Sequence, residues 1–145
     1  MLRRLVAPVS ALGLAAFLAG AAPASASHDV TRTFTTQLTG GQEAPGPGDP
    51  DGTGVARVTV DTSTGRICYV IRVSNIAPAT AAHIHEAPPG APGPVVQGLI
   101  APTRGRSAGC LTNYALAADI AADPGDYYVN VHNTPFPGGA VRGQL

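Results

Sequence analysis

The sequence has no lysine at all, so arginine supplies all of its positive side-chain charge. Across the 145 residues, nine basic residues balance nine acidic ones. Two of the arginines, Arg3 and Arg4, lie in an N-terminal stretch that we expect to be a cleaved leader. Without them, seven arginines face nine acidic residues, a net charge of about −2 with histidine neutral. A chain with this charge balance is not expected to bind nucleic acid or acidic lipid through electrostatic attraction.

Patterns typical of common hydrolases and of nucleotide-binding proteins are also missing. Ser63, Ser74 and Ser107 lie in turn-like sequence without a nucleophile elbow. No strand-like run carries two close carboxylates, which argues against glycoside hydrolysis. The Gly/Pro-rich segment 40–54 precedes a strand-like run rather than a helix, so it is not read as a phosphate-binding loop.

The same segment holds three acidic residues, Glu43, Asp49 and Asp51. Their spacing lacks the alternation of a calcium-binding loop. We therefore expect these side chains in a solvated turn.

Residues 1–26 have the pattern of a secretory signal peptide. The two arginines precede an almost wholly apolar stretch, 5–22, and Ala24-Ser25-Ala26 supplies small residues for a signal peptidase. A retained membrane anchor is disfavoured because the apolar stretch is short. We expect cleavage near Ala26, which would leave 27–145 as one secreted domain, extracellular or periplasmic, without a membrane span.

Only two cysteines are present, Cys68 and Cys110, and neither belongs to a Cys-x-x-Cys unit. In an oxidising compartment such a pair is expected to form a structural disulfide. Closing a loop of this length contributes roughly 4 kcal/mol in the chain-entropy model.

Short strand-like runs separated by Gly and Pro make up most of the remaining chain. Seven runs are visible: 32–38, 54–60, 66–73, 81–86, 95–100, 126–132 and 140–145. Segment 61–65 has the composition of a hairpin turn, and 114–122, rich in Ala and Leu, predicts one short helix. We therefore predict an all-β fold, an antiparallel Greek-key sandwich or barrel of about seven to nine strands with that helix.

Three histidines fall at strand-like positions, His83 and His85 in one run and His132 in another. Alternate residues of a strand share a face, so His83 and His85 project together, and Tyr128, Asn130 and His132 do the same in their own strand. A sheet that brought the two strands together would gather three imidazoles. Neutral imidazole suits Zn²⁺ or Cu²⁺, so His83, His85 and His132 are candidate metal ligands.

Four residues are candidates to surround such a site: Glu86 as a fourth ligand, and Tyr128, Asn130 and Arg142 as its neighbours. In the alternative interpretation, the histidines hydrogen-bond with these neighbours and lock the sheet without any metal. A dinuclear copper–zinc dismutase is not expected, since it needs roughly six histidines and the chain has four. His28, near the expected cleavage point, is a separate candidate for chelating Cu²⁺.

Four pieces of the sequence resemble the CHRD domain, the module found in chordin and in many bacterial exported proteins. These pieces are 38–45, 79–85, 93–96, and 128–132 followed by 137–145. Two departures from the family's pattern are Glu86, where Gly is common, and Asn133, where Thr is common. The resemblance implies a bacterial-type, secreted, all-β single domain with no established enzymatic activity. Chordin's growth-factor partner does not transfer to such a protein.

The sequence therefore favours a secreted, non-catalytic binding or matrix domain with a polar cluster at His83, His85 and His132. Its partner would be an extracellular ligand or surface component rather than nucleic acid. A copper or zinc carrier or metalloenzyme that uses the same three histidines is the alternative.

Overall fold

The computed structural model describes residues 31–145, which form eight strands, one α-helix and two single-turn 3₁₀ helices. The strands are β1 (Thr31–Thr39), β2 (Thr53–Asp61), β3 (Arg66–Ser74), β4 (Ala79–Glu86), β5 (Val95–Leu99), β6 (Arg106–Thr112), β7 (Tyr127–Asn133) and β8 (Val141–Gln144), and the helix is α1 (Tyr114–Ala122). The expected signal peptide, its cleavage point and His28 lie outside the described residues.

All eight strands belong to one sheet, hydrogen-bonded in the order β5-β4-β7-β8-β1-β2-β3-β6. Every neighbouring pair is antiparallel. The sheet curls into a nearly closed barrel, with β5 and β6 as its two edge strands. This confirms the all-β antiparallel prediction and its single helix. Within residues 31–145, no helix is long and apolar enough to cross a membrane.

The barrel interior is filled by the alternate apolar residues that the sequence pattern indicated. In β3, the inward side chains are Ile67, Tyr69, Ile71 and Val73, all of them buried. The helix closes the core with a buried apolar face, and its N-terminus is capped by Asn113, whose Oδ1 accepts a hydrogen bond from the Leu116 N–H at 3.1 Å. Most buried side chains of the long strands are apolar, so the candidate polar residues are found mainly on the outer face and its loops.

Strand β6 was not among the seven predicted runs. Its sequence, RSAGCLT, holds a glycine and small residues and lacks clear apolar alternation, so pairing with β3 rather than local propensity defines it. Ser107, expected in a turn, lies in this strand and is buried.

The predicted disulfide between Cys68 and Cys110 is present. The two cysteines are direct cross-strand partners on β3 and β6. The bridge therefore ties edge strand β6 to the rest of the sheet.

Candidate functional site

The candidate residues lie on the outer face of three adjacent strands, β4, β7 and β8. Opposite residues of antiparallel strands share a face, and the register pairs His83 with Asn130, His85 with Tyr128, and Asn130 with Arg142. His132, two residues beyond Asn130, falls on the same face. The sheet thus gathers on one surface the histidines that the sequence placed in two separate runs.

The three histidines form a compact cluster, called here the three-histidine cluster (His83, His85 and His132). His83 Nδ1 lies 3.0 Å from His132 Nε2, and the ring centroids of His83 and His85 are 5.5 Å apart. Each residue offers one ring nitrogen, and these three nitrogens lie within 4.8 Å of one another. His85 is buried, while His83 and His132 are half-buried.

Two of these rings are fixed by backbone carbonyls of loops that cover the sheet. His85 Nδ1 lies 2.9 Å from the Gly93 carbonyl oxygen, and His132 Nδ1 lies 3.0 Å from that of Pro137. A carbonyl only accepts, so in both rings Nδ1 carries the proton and Nε2 keeps its lone pair. A hydrogen bond of this kind orients the ring and sets the tautomer of a metal-binding histidine.

The cluster favours neutral imidazoles. Burial lowers the pKa of His83, and the neighbouring His132 and His85 lower it further. Burial also lowers the pKa of His132, although the hydrogen bond to the Pro137 carbonyl opposes this effect. A neutral ring is the form that binds a metal.

A stack of three side chains supports His85 from beside the cluster. The His85 ring lies parallel to the Tyr128 ring, with a centroid distance of 4.8 Å and an interplanar angle of 7°. On Tyr128, the Arg142 guanidinium carbon lies 3.4 Å from the ring centroid. The Tyr128 hydroxyl accepts a hydrogen bond from the Gly93 N–H at 3.2 Å, so His85 and Tyr128 both hold the same loop residue.

Arg142 is 1 % exposed, and it binds carbonyl groups rather than a carboxylate. Its guanidinium donates to the Ala91 carbonyl at 2.7 Å and to the Pro88 carbonyl at 3.1 Å. It also donates to Gln144 Oε1 at 3.0 Å. Arg142 therefore anchors the 87–94 loop over the outer face of the sheet.

Glu43 also belongs to this region, although the sequence pattern placed it in a solvated turn. It is half-buried, and its Oε1 is buried without a hydrogen-bond partner among the residues that the structure describes. Asp49 of the same segment is buried too. Burial raises the pKa of Glu43 to about 7, against the opposing effects of the Arg142 charge and of a hydrogen bond from Asn130. Its inclusion in the CHRD-like piece 38–45 was the signal that could have identified it.

Gly139 makes room for the Glu43 carboxylate. Its φ is +147°, and a Cβ on Gly139 would collide with that carboxylate. The 134–140 loop therefore packs directly onto the acidic side chain. A cleft of about 320 Å³ opens on the other side, where Glu43, Arg142 and Gln144 contribute to its wall.

The remaining candidates separate into two groups. Asn130 is 2 % exposed and lies opposite His83, and its Oδ1 has no hydrogen-bond partner in the described part of the chain. Glu86 is exposed at the end of β4 and, as the residue next to His85, points to the opposite face of the strand. The structure thus brings Asn130, Tyr128 and Arg142 to the region of the cluster and does not bring Glu86 there.

The donor set fits a transition metal. Three imidazole nitrogens are a ligand set used for Zn²⁺ and Cu²⁺, and two of the three rings already present an unprotonated Nε2. The buried Nε2 of His85 has no hydrogen-bond partner within residues 31–145. Buried polar atoms are normally satisfied, so this lone pair is available to a metal ion or to a hydrogen-bond donor.

The family model of the CHRD domain matches residues 34–145. The chain belongs to the CHRD family. No curated protein and no solved structure matches it.

The CHRD match extends over the whole described barrel apart from the first three residues of β1. It includes all three histidines together with Glu43, Asn130 and Arg142. The CHRD fold and the disulfide are consistent with an extracellular location.

Proposed function

We propose that this CHRD protein is a secreted, non-catalytic binding domain whose three-histidine cluster holds one Cu²⁺ or Zn²⁺ ion. The observation that carries the proposal is the pair of rings, His85 and His132, whose Nδ1 atoms are bound to carbonyl groups. Both leave an unprotonated Nε2 beside His83. The signal-peptide pattern of residues 1–26 supports secretion.

Proton counting favours the metal over a closed hydrogen-bond network. A neutral His83 has a single N–H, and its Nδ1 lies within hydrogen-bond distance of His132 Nε2. If His83 donates that proton to the Nε2 of His132, the buried Nε2 of His85 receives no hydrogen bond. One divalent ion would satisfy the lone pairs of all three rings at once, and no ring would have to carry a charge.

A copper or zinc carrier or metalloenzyme is the second candidate. Three protein ligands leave a coordination position open, as in catalytic zinc sites. The half-exposed His83 and His132 would give a small molecule access to that position. This candidate uses the same ligands and differs only in what the bound ion does.

The test is the metal content of the purified secreted protein, measured by elemental mass spectrometry after loading with Zn²⁺ or Cu²⁺ and dialysis. The variants are His132→Ala and the double variant His83→Ala/His85→Ala. Tyr114→Phe is the control, because Tyr114 is an exposed side chain at the start of α1, outside the three-histidine cluster and the loops that fix its rings.

We expect close to one ion per chain in the wild type and in Tyr114→Phe, and a large loss in both histidine variants. A wild type that binds no metal, with histidine variants that are merely less stable, would identify the cluster as a structural network. Turnover of a redox or hydrolytic substrate by the loaded protein would favour the carrier or enzyme class.

A further inference from the structure

A second group of side chains lies on strands that carry none of the three histidines. Arg57 on β2, Arg72 on β3 and Arg106 on β6 are all exposed and line one groove of about 420 Å³. The other residues that line this groove are Thr35, Val55 and Val70. It is a positively charged surface on the outer face of four neighbouring strands, β1, β2, β3 and β6, and none of its lining residues is acidic.

The sheet register places the three charges close together. Arg72 and Arg106 are direct cross-strand partners, so their Cβ atoms are about 5 Å apart. Arg57 lies opposite Val70, two residues before Arg72, which places it on the diagonal at roughly 7 to 8 Å. Like charges directly opposite each other destabilise a sheet. An anionic ligand in the groove would offset this repulsion, because each guanidinium would then lie beside a negative charge.

We propose that the groove formed by Arg57, Arg72 and Arg106 binds a carboxylated polysaccharide. The planar guanidinium matches a carboxylate with two parallel N–H···O hydrogen bonds. A polyuronate carries one carboxylate on each sugar ring, so a single chain lying across β2, β3 and β6 presents successive anions to successive arginines. The threonine and valine side chains between the arginines offer a partly polar and partly apolar surface to the sugar rings.

Other polyanions fit the molecule less well. Single-stranded nucleic acid is usually held by aromatic stacking, and no aromatic side chain lines this groove. Duplex DNA needs a broad positive surface, whereas four acidic residues, Glu86, Asp119, Asp123 and Asp126, gather around Tyr127 elsewhere on the barrel. A stable protein partner needs a larger apolar centre than Val55 and Val70 provide. The groove therefore fits a flexible polymer that carries one negative charge on each repeating unit.

The test measures binding of the intact secreted protein to polygalacturonate oligomers by calorimetry at low salt. The groove variant is Arg72→Gln/Arg106→Gln. Arg66→Gln/Arg104→Gln is the matched control, because it removes two exposed arginines that do not line the groove. Neutral dextran, duplex DNA and a poly-glutamate peptide are the comparison ligands.

We expect binding that weakens as salt rises, falls on the order of ten-fold or more in the groove variant, and stays within about two-fold in the control. The melting temperature of the groove variant should not fall, because the substitution removes a like-charge pair. Absence of binding, or equal loss in both double variants, would overturn the proposal. Tighter binding of DNA or poly-glutamate than of the polyuronate would overturn it in favour of that class.

Discussion

At the scale of single residues, the most unusual titratable group is Glu43. The carboxyl group sits between the sheet and the 134–140 loop, and burial raises its pKa from the usual 4.5 to about 7. The folded protein therefore holds this proton more tightly than the unfolded chain does. Stability that depends on Glu43 is fully present below about pH 4.5, and it is lost as the pH rises through about 7.

We expect Glu43→Gln to remove this pH dependence. Glutamine keeps the shape and the contacts of the protonated acid without the cost of a buried charge. The variant should match the wild type at pH 4 and exceed it at pH 8 by about 1 to 2 kcal/mol, a figure reduced for partial solvent exposure. Urea unfolding at both pH values measures the difference. Asp51→Asn, an exposed acid of the same segment, is the control, and an equal gain at both pH values would contradict the prediction.

The histidines give the opposite pH dependence. Burial lowers the pKa of His83 and of His132, so the unfolded chain binds protons more tightly than the folded one. Their contribution to stability is present above about pH 6.5 and is lost as the pH falls through the lowered folded values. In the Glu43→Gln background, which removes the competing effect, we expect unfolding free energy to decrease below about pH 6.5.

NMR titration of the imidazole carbon-bound protons measures this directly. Both rings should titrate below the pKa of a free histidine side chain, and a loaded metal should abolish the titration because the ligand nitrogens are then occupied. Titration at or above the value of the free side chain would contradict the prediction.

At the scale of elements, the outer face depends on how the 87–94 loop is held down. The loop lacks regular secondary structure of its own, and its carbonyl groups are bound by Arg142 and by Gln144, whose Nε2 donates to the Ala87 oxygen at 2.8 Å. The same loop carries Gly93, which fixes the His85 ring. The geometry of the three-histidine cluster therefore depends on a residue of β8 that is not one of its ligands.

Arg142→Lys tests this role while it retains the charge. The lysine ammonium cannot reproduce the planar fork that reaches two carbonyl groups and Gln144, and it would leave some of these acceptors without donors. We expect a loss of about 2 to 4 kcal/mol in unfolding free energy, together with faster hydrogen exchange in the 87–94 loop and weaker metal binding. Arg66→Lys on the exposed face of β3 is the control. Unchanged exchange in the loop would contradict the anchoring role.

Several parts of the site were predictable from sequence and others were not, for physical reasons. The two-residue repeat of a strand is local, so it placed His83 beside His85 and His132 beside Asn130. The register that brings the two strands together is a long-range property, and only the folded sheet shows it. Glu43 was misplaced because Gly and Pro around it indicate a loop, and composition does not tell whether a loop is solvated or packed onto a sheet.

Strand β6 could not be predicted from the sequence for a similar reason, because its pairing is a long-range property. Its residues have little intrinsic preference for a strand, and it forms because β3 offers an unpaired edge and because the disulfide joins the two. The helix at 114–122 was predictable with its bounds, since its composition and the Asp-Pro-Gly sequence after it are local signals.

At the scale of the whole molecule, a tyrosine side chain spans the gap between the barrel's edge strands, β5 and β6. Tyr69 points inward from β3, and its hydroxyl accepts a hydrogen bond from the backbone N–H of Ile100, just beyond β5, at 2.9 Å. The ring passes over Gly109 of β6, where a Cβ would lie only 2.7 Å from the hydroxyl oxygen. Glycine at this position thus leaves the space for the contact across the gap.

We expect Tyr69→Phe to cost about 1 kcal/mol, because it removes this hydrogen bond and leaves the ring in the core. The Ile100 amide should exchange with solvent about five-fold faster, while amides in the middle of β2 stay protected. Gly109→Ala should cost more, since it displaces the ring as well as the hydroxyl. Tyr114→Phe, an exposed tyrosine on α1, is the control. If both tyrosine variants change the Ile100 exchange rate equally, the hydroxyl of Tyr69 does not join the edges, and packing alone closes the barrel.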